Sequence, residues 1–189
     1  MSDYAALLDA NVLYPAPLRD LLIQLAQTNL FRARWSVDIH REWIDALLRN
    51  EPSREQTTLE RTRDLMNRAV RDCLVTGYDV LIPALVLPDE GDRHVLAAAI
   101  IGRCDVIVTQ NLKDFPATAL TPYGIEAQHP DEFLSYHLDL APGVFCEAVR
   151  KLRARLKNPP YTVEDYLGTL TQQGLVATAA ELEAFAALL

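Results

Sequence analysis

The chain contains no uninterrupted apolar run near the roughly 20 residues that a membrane span requires, although 50% of its 189 residues are hydrophobic. It begins Met-Ser-Asp-Tyr-Ala, without the basic stretch and apolar segment of a secretory signal, so a cytoplasmic location is expected. Cysteine is scarce. Cys73, Cys104 and Cys146 stand far apart, are odd in number and form no CxxC pair. Neither a zinc ribbon nor a disulfide framework fits them, and small buried hydrophobes in a reducing compartment do. Low-complexity tracts and internal repeats are absent, and the apolar half of the chain suffices for a sizeable core, which excludes wholesale disorder. The length fits one domain, or one domain with an appendage. Positive charge is also short: 18 Lys and Arg face 26 Asp and Glu, for a formal net charge of -8. That balance argues against a simple basic-surface nucleic-acid binder. An enzyme that reaches a polyanion through metal ions stays open, because carboxylates gathered as ligands count as negative.

What is there alternates. Tyr4 to Leu8 form a short apolar run stopped by Asp9 and Asn11, which predicts a buried strand. Pro15 and Pro17 then suit a helix start, followed by Leu18, Leu21, Leu22 and Leu25 at helical spacing. A second helix is expected from Ser36, with Ile39, Trp43, Ile44, Leu47 and Leu48 as its apolar side. Ser53 with Gln56 has the capping-box pattern, for a third helix running to about Val75 and carrying Arg61, Arg63, Arg68 and Arg71. Val80 to Ile82 look like a strand stopped by Pro83. A densely apolar helix is expected from Asp92 to about Gly102, a buried strand from Val106 to Thr109, a brief strand near Ile125 and a helix from Asp131. Short apolar strands alternating with helices predict an α/β domain with a parallel sheet, over residues 1–138. Residues 139–189 show no strand signal and read as a small all-helical C-terminal subdomain, with helices near 142–157, 162–172 and 178–188.

Ligands of open parallel sheets gather at the carboxyl ends of the strands. Asp9 ends the first strand, Asp92 opens the buried helix with Asp89 and Glu90 beside it, and Asp114 follows the strand that ends at Thr109. Glu42 joins them if its helix packs beside the first strand. Gathered carboxylates repel one another unless a cation neutralises them, and an all-oxygen set suits hard divalent ions such as Mg²⁺ and Mn²⁺. Such an ion lowers the pKa of a bound water and stabilises a phosphodiester displacement. Each acid also has an ordinary explanation: an Asx turn for Asp9, a helix cap for Asp92, a solvated charge for Glu42, a turn acid for Asp114. Only their joint order along an α/β chain shifts the balance.

Four blocks carry a family resemblance. They are Leu7-Leu8-Asp9-Ala10-Asn11-Val12-Leu13; Glu42 after Trp35-Ser36 and Ile39; Pro88-Asp89-Glu90-Gly91-Asp92-Arg93-His94-Val95-Leu96-Ala97-Ala98-Ala99; and Val106-Ile107-Val108-Thr109-Gln110-Asn111-Leu112-Lys113-Asp114-Phe115. Together, over roughly residues 3–130, they resemble the PIN-domain ribonucleases, the family containing VapC-type toxins. The C-terminal remainder is similar to the helical extension of larger members. The resemblance implies a PIN-like α/β/α sandwich and Mg²⁺- or Mn²⁺-dependent hydrolysis of RNA phosphodiesters by metal-activated water. It implies that Asp9, Glu42, Asp92 and Asp114 hold the metal, and that Asn11, Asp89, Thr109 and Asn111 lie in support or position substrate. Asp114 is preferred to Asn111 because it bears the charge, and Asp92 to Asp89 because it directly opens the helix. A toxin implies an antitoxin protein as partner, and the family implies a homodimer. The alternatives are a catalytically silent binding module and a related metal-dependent nuclease acting on DNA.

The charge is sorted along the chain. Residues 147–157 hold Arg150, Lys151, Arg153, Arg155 and Lys157 against Glu147 alone. That stretch is a candidate RNA-backbone surface, through Arg150, Lys151, Arg153 and Lys157, or else a solvated face docked by Leu152 and Leu156. The arginines of residues 53–75 are interleaved with Glu60, Asp64 and Asp72, and pairing within the helix explains most of them. His94 either orients a carboxylate or touches substrate, or is simply a partly buried, hydrogen-bonded histidine. His40 points away from Glu42, and Trp35 and Trp43 are core anchors rather than stacking platforms.

Overall fold

The structure, a computed structural model, describes residues 4–189. The N-terminal reading falls partly on residues 1–3, which lie outside the described residues. The first strand, β1 (Ala5–Leu8), ends at Asp9, whose side chain caps the four-residue helix α1 (Ala10–Leu13). Helix α2 (Ala16–Ala26) then starts on the proline pair and lays Leu18, Leu21, Leu22 and Leu25 into the core. Strand β2 (Arg32–Arg34) follows, then α3 (Val37–Asn50), α4 (Gln56–Ala69) and α5 (Arg93–Ile101). Strand β3 (Val106–Val108), the short helix α6 (Ala117–Leu120), β4 (Glu126–Gln128) and α7 (Pro130–Leu140) complete the α/β part. The C-terminal helices are α8 (Pro142–Arg153), α9 (Val163–Gln172) and α10 (Val176–Glu183).

The sheet has four strands in the order β2-β1-β3-β4, all parallel. The register pairs Ala6 with both Ala33 and Val106, and Leu8 with Val108. Every residue of β1 and β3 is buried, so helices cover the sheet on both faces, which is why these strands read as continuous apolar runs. The result is the expected α/β/α sandwich. Helix α5 packs on β1, β3 and the turn before it, and its alanines Ala97, Ala98 and Ala99 are fully buried where a larger side chain would hold it off the sheet. Gly102 ends it at a close approach: a Cβ there would lie 2.8 Å from the Ala98 carbonyl oxygen and 2.9 Å from Val75.

Five local features differ from the sequence expectation. Val80 to Ile82 form no strand; they belong to a 3-10 helix, Asp79–Ala84, with Pro83 inside it and Val80 largely exposed. Pro83 removes a ladder donor, and with no partner strand among the described residues the apolar run turns instead. The Ser53–Gln56 capping box does not form. Arg54 folds back onto Glu51 through both its main chain (3.0 Å) and its side chain (2.7 Å), so α4 begins only after Glu55. That helix ends at Ala69 rather than Val75, because Val70 is extended, Asp72 takes a left-handed φ of 52°, and Cys73–Val75 runs alongside Trp35. Strand β2 was not expected: of Arg32-Ala33-Arg34 only Ala33 is buried, so a charged edge strand left no apolar signal. Finally, α8 stops at Arg153, whose guanidinium bonds the carbonyl of Tyr161 and the main-chain oxygen of Leu189 and draws the chain back.

The C-terminal helices are not suspended on a linker. Phe145, Val149, Leu170, Leu175 and Leu182 belong to the same buried cluster as Leu7, Leu18 and Phe133. Asp131 of α7 accepts hydrogen bonds from the main-chain N–H groups of Ala177 and Thr178 (2.9 Å each), supplying α10 with the cap its own sequence lacks. Ser135 donates to Glu181 at 2.7 Å. All three cysteines are buried and free. Among the described residues no helix is long and apolar enough to cross a membrane.

Candidate functional site

The carboxyl ends of β1 and β3 lie side by side, and their first residues beyond the strands are tied together. Asp9, 5% exposed, accepts from its neighbour Ala10 N–H (2.7 Å) through Oδ1. Its Oδ2 accepts from the Asn11 amide (2.6 Å) and from the Thr109 hydroxyl (2.7 Å), 100 residues away in sequence. The Asn11 amide also reaches Thr109 Oγ1 (2.8 Å), and its carbonyl accepts from Gln110 N–H (3.0 Å). Thr109 Oγ1 further accepts from Asn111 N–H at 3.0 Å. Burial pushes the Asp9 carboxyl up; the bonds from Thr109 and Ala10 hold it down, and the charge of Glu42 raises it again.

Three further carboxylates converge here. Single oxygens of Asp89, Asp92 and Asp114 all lie within 4.8 Å of one another. Asp89 is exposed and caps the 3-10 turn Glu90–Asp92 through Gly91 N–H (2.8 Å). Asp114 sits on the 3-10 turn Leu112–Asp114, where the Asn111 amide donates to its Oδ2. Asp92 opens α5, and its carboxyl makes no capping bond. Its pKa is pushed from 3.8 to about 6 by burial, then by the negative charges of Asp9, Asp89, Asp114 and Glu42. Four acids therefore act electrostatically on one. A group this crowded with like charge is one that a cation would relieve, and the all-oxygen donor set fits a hard divalent ion.

Glu42, on α3, is held at 2.7 Å by His94 Nε2, from the first turn of α5. The carboxylate only accepts, so Nε2 carries the proton that it donates. Burial pulls the His94 imidazole down, but the bond to Glu42 and the charges of Glu42, Asp38 and Asp9 outweigh it and raise its pKa. Sequence spacing does not single this contact out: His94 and Glu42 are 52 residues apart, and only the packing of α3 against the start of α5 joins them. His40, given no role from sequence, instead bonds Trp43 Nε1 and Asn67, and Trp35 and Trp43 are fully buried as anchors.

The basic stretch is arranged differently. Arg150 (2.8 Å) and Lys151 (3.5 Å) both pair with Glu147 on exposed surface of α8. Arg153 spends its donors on Tyr161 and Leu189. Lys157 is exposed and lies in the turn that bridges to Pro160. These bonds stay within the C-terminal segment and reach none of Asp9, Glu42, Asp89, Asp92 and Asp114.

Comparison with known proteins adds three findings. Residues 5–113 match the family model described as "PIN domain", and residues 130–184 match "VapC50 C-terminal domain". Over 97 residues the chain is 44% identical to a protein of Mycobacterium tuberculosis (strain ATCC 25618 / H37Rv) named "Putative ribonuclease VapC50", a match covering 51% of this chain and 57% of that protein. No solved structure matches the chain.

Proposed function

Because the chain belongs to the PIN-domain family, we propose that it is a divalent-metal-dependent endoribonuclease, the toxin of a toxin–antitoxin pair. The observation that carries this reading is the convergence of Asp89, Asp92 and Asp114 within 4.8 Å at the carboxyl ends of the strands, with Asp9 and Glu42 acting on Asp92. Asp9, Glu42, Asp92 and Asp114 would hold Mg²⁺ or Mn²⁺, and Asp89 joins them because it shares the group. A divalent ion bound there would supply Lewis acidity, activating water and offsetting charge that develops on the phosphodiester.

The chain's own residues prepare that chemistry. Asn11 and Thr109 fix Asp9 and couple the two strand ends, so the position of Asp9 is set by the sheet rather than by a loop. Asn111 orients Asp114 in the same way. The acidic surface repels RNA until a cation is bound, which makes metal loading a condition of substrate binding as well as of hydrolysis. RNA as substrate, an antitoxin protein, a homodimer and a cytoplasmic location belong to this proposal, as does the division into a nuclease domain (1–138) and a helical subdomain (139–189). The named relative supports the ribonuclease reading.

The test is cleavage of RNA, and of single-stranded DNA as the competing substrate, with Mg²⁺ or Mn²⁺ by wild type, Asp9→Asn and Asp92→Asn. RNA cleavage that needs the ion and falls at least 100-fold in both variants is expected, on the scale of lost groups that act in the transition state. Equal activity in all three proteins overturns the assigned site, and cleavage of DNA alone overturns the substrate.

A further inference from the structure

The acids of the site differ in how they are held. Asp9 is gripped by Ala10 N–H, Asn11 and Thr109, Asp89 by Gly91 N–H, and Asp114 by Asn111, all next to them in sequence or on the neighbouring strand end. Glu42 has none of this local support. It stands mid-helix on α3 with a longer side chain, 42% exposed, while His94 is 11% exposed and enclosed. Among the described residues, His94 is the one side chain that bonds the Glu42 carboxylate. A glutamate left free samples many rotamers, and ordering it on ligand binding costs entropy that a prior hydrogen bond has already removed.

We propose that His94 is a positioning residue: its Nε2–H fixes the Glu42 carboxylate toward the acid group and thereby sets the affinity of that group for Mg²⁺ or Mn²⁺. The inference rests on the metal-site reading above. Its physical basis is that the start of α5 delivers two things from positions two residues apart, the acid Asp92 and the clamp His94 for an acid on another helix. The segment that opens α5 thus locks α3 in register with the strand ends. Asp38, one turn before Glu42 on α3, is itself committed to Tyr78 (2.7 Å) and Arg41 (2.7 Å), so it does not compete for the imidazole as a hydrogen-bond partner. Outer partners of metal-binding side chains commonly change metal affinity by about 10- to 100-fold when removed.

The experiment is a calorimetric titration of the RNA-free protein with Mn²⁺, on His94→Phe, His94→Gln, Glu42→Gln and the double variant His94→Phe/Glu42→Gln. Phe keeps the shape of the ring without its donor; Gln restores an N–H near the Nε2 position. His94→Phe is expected to weaken Mn²⁺ binding about 10- to 100-fold. His94→Gln is expected to recover most of the loss, and the double variant to bind no more weakly than Glu42→Gln alone. Wild-type affinity in His94→Phe, an equal loss in His94→Gln, or additive losses in the double variant overturns the proposal. A second measurement does not depend on the phenylalanine variant folding. In the wild-type histidine ¹H–¹⁵N spectrum, the His94 Nε2 resonance should be protonated and should shift in Glu42→Gln; an unmoved resonance overturns it equally. Asp9→Asn and Asp92→Asn separate the two levels. If they too leave Mn²⁺ affinity untouched, the metal-site reading itself fails; if they lose it while His94→Phe does not, only the role of His94 fails.

Discussion

Replacing Asp92 by Asn should make the metal-free protein more stable while it removes activity. In the fold the Asp92 carboxyl titrates at about 6 instead of 3.8, chiefly through burial and the charges of Asp9, Asp89, Asp114 and Glu42. A folded pKa above the unfolded one means that protonated Asp92 is tolerated and ionised Asp92 is penalised. The penalty is absent only below pH 3.8, develops as the pH rises from there to about 6, and is complete above about 7. A shift of about two units is worth about 3 kcal/mol at 1.36 kcal/mol per unit. Because Asp92 is only partly buried, solvent screening reduces the figure to about 1–2 kcal/mol. Asn keeps the shape and removes the charge, so Asp92→Asn should unfold about 2–8 °C higher than wild type at pH 7.5 in EDTA, for a chain of this length. At pH 4.5 the gap between the two melting curves should shrink to about a third. Saturating Mn²⁺ should raise the wild-type curve and close the gap, because the ion neutralises the repulsion in wild type and finds a weakened site in the variant. Thermal unfolding followed by circular dichroism at both pH values, with and without Mn²⁺, is sufficient. A variant no more stable than wild type at pH 7.5 in EDTA would refute the reasoning. So would a gap that persists unchanged at pH 4.5.

Other consequences follow from groups outside the acid cluster. His137 is buried among Phe31, Phe133 and Tyr136, and burial pushes its pKa down from 6.5 to about 4. The stability it allows is therefore full above pH 6.5 and lost as the pH falls toward 4, by about 2–3 kcal/mol; urea unfolding of His137→Phe at pH 7 and 4.5 should show a smaller acid loss than wild type, and an equal loss would count against this. Asp131→Ala leaves the first N–H groups of α10 without their cap and should cost about 1–2 kcal/mol, read as faster hydrogen exchange over residues 176–183; exchange unchanged there would show that the cap holds nothing. If α8 contacts the RNA backbone, neutralising Arg150, Lys151 and Lys157 together should lower the salt dependence of RNA affinity by about 0.7 per lost contact. An unchanged slope assigns that face to solvent. Arg153 is left out of this set because its donors bond Tyr161 and Leu189, and its loss would disturb the fold.

Much of the architecture is local in origin and was legible. Ser36 caps α3 through Ile39 N–H, and the Ile39, Trp43, Ile44 and Leu47 side is buried as its spacing requires. The runs Ala5–Leu8 and Val106–Val108 are apolar at every position because both faces of a central parallel strand are covered. Misreadings arose where the outcome is set by partners distant in sequence. Val80 to Ile82 has strand composition, yet among the described residues no strand pairs with it and Pro83 lies inside its 3-10 turn. Arg32–Arg34 lacks strand composition and becomes an edge strand because β1 offers a free side. Asp89 and Asp92 lie in one group with Asp114, Asp89 exposed and bonded to Gly91 N–H, Asp92 half-buried at the start of α5.

The sequence by itself determined the alternation of strands and helices, the placement of Asp9, Asp92 and Asp114 just beyond strand ends or at a helix start, and the segregation of basic and acidic stretches. Each depends on residues within a turn or two of one another, so composition and spacing record them directly. The tertiary structure alone decided which acids crowd Asp92 enough to lift it to about 6, that Thr109 bonds Asn11 and Asp9 across 98 and 100 residues of chain, and that His94 reaches Glu42. It also spent Arg153 on the C-terminal turn and gave α10 a cap from α7. Charge repulsion and hydrogen bonding act over a few ångströms of space, whatever the separation along the chain, and those distances exist only once the helices have packed.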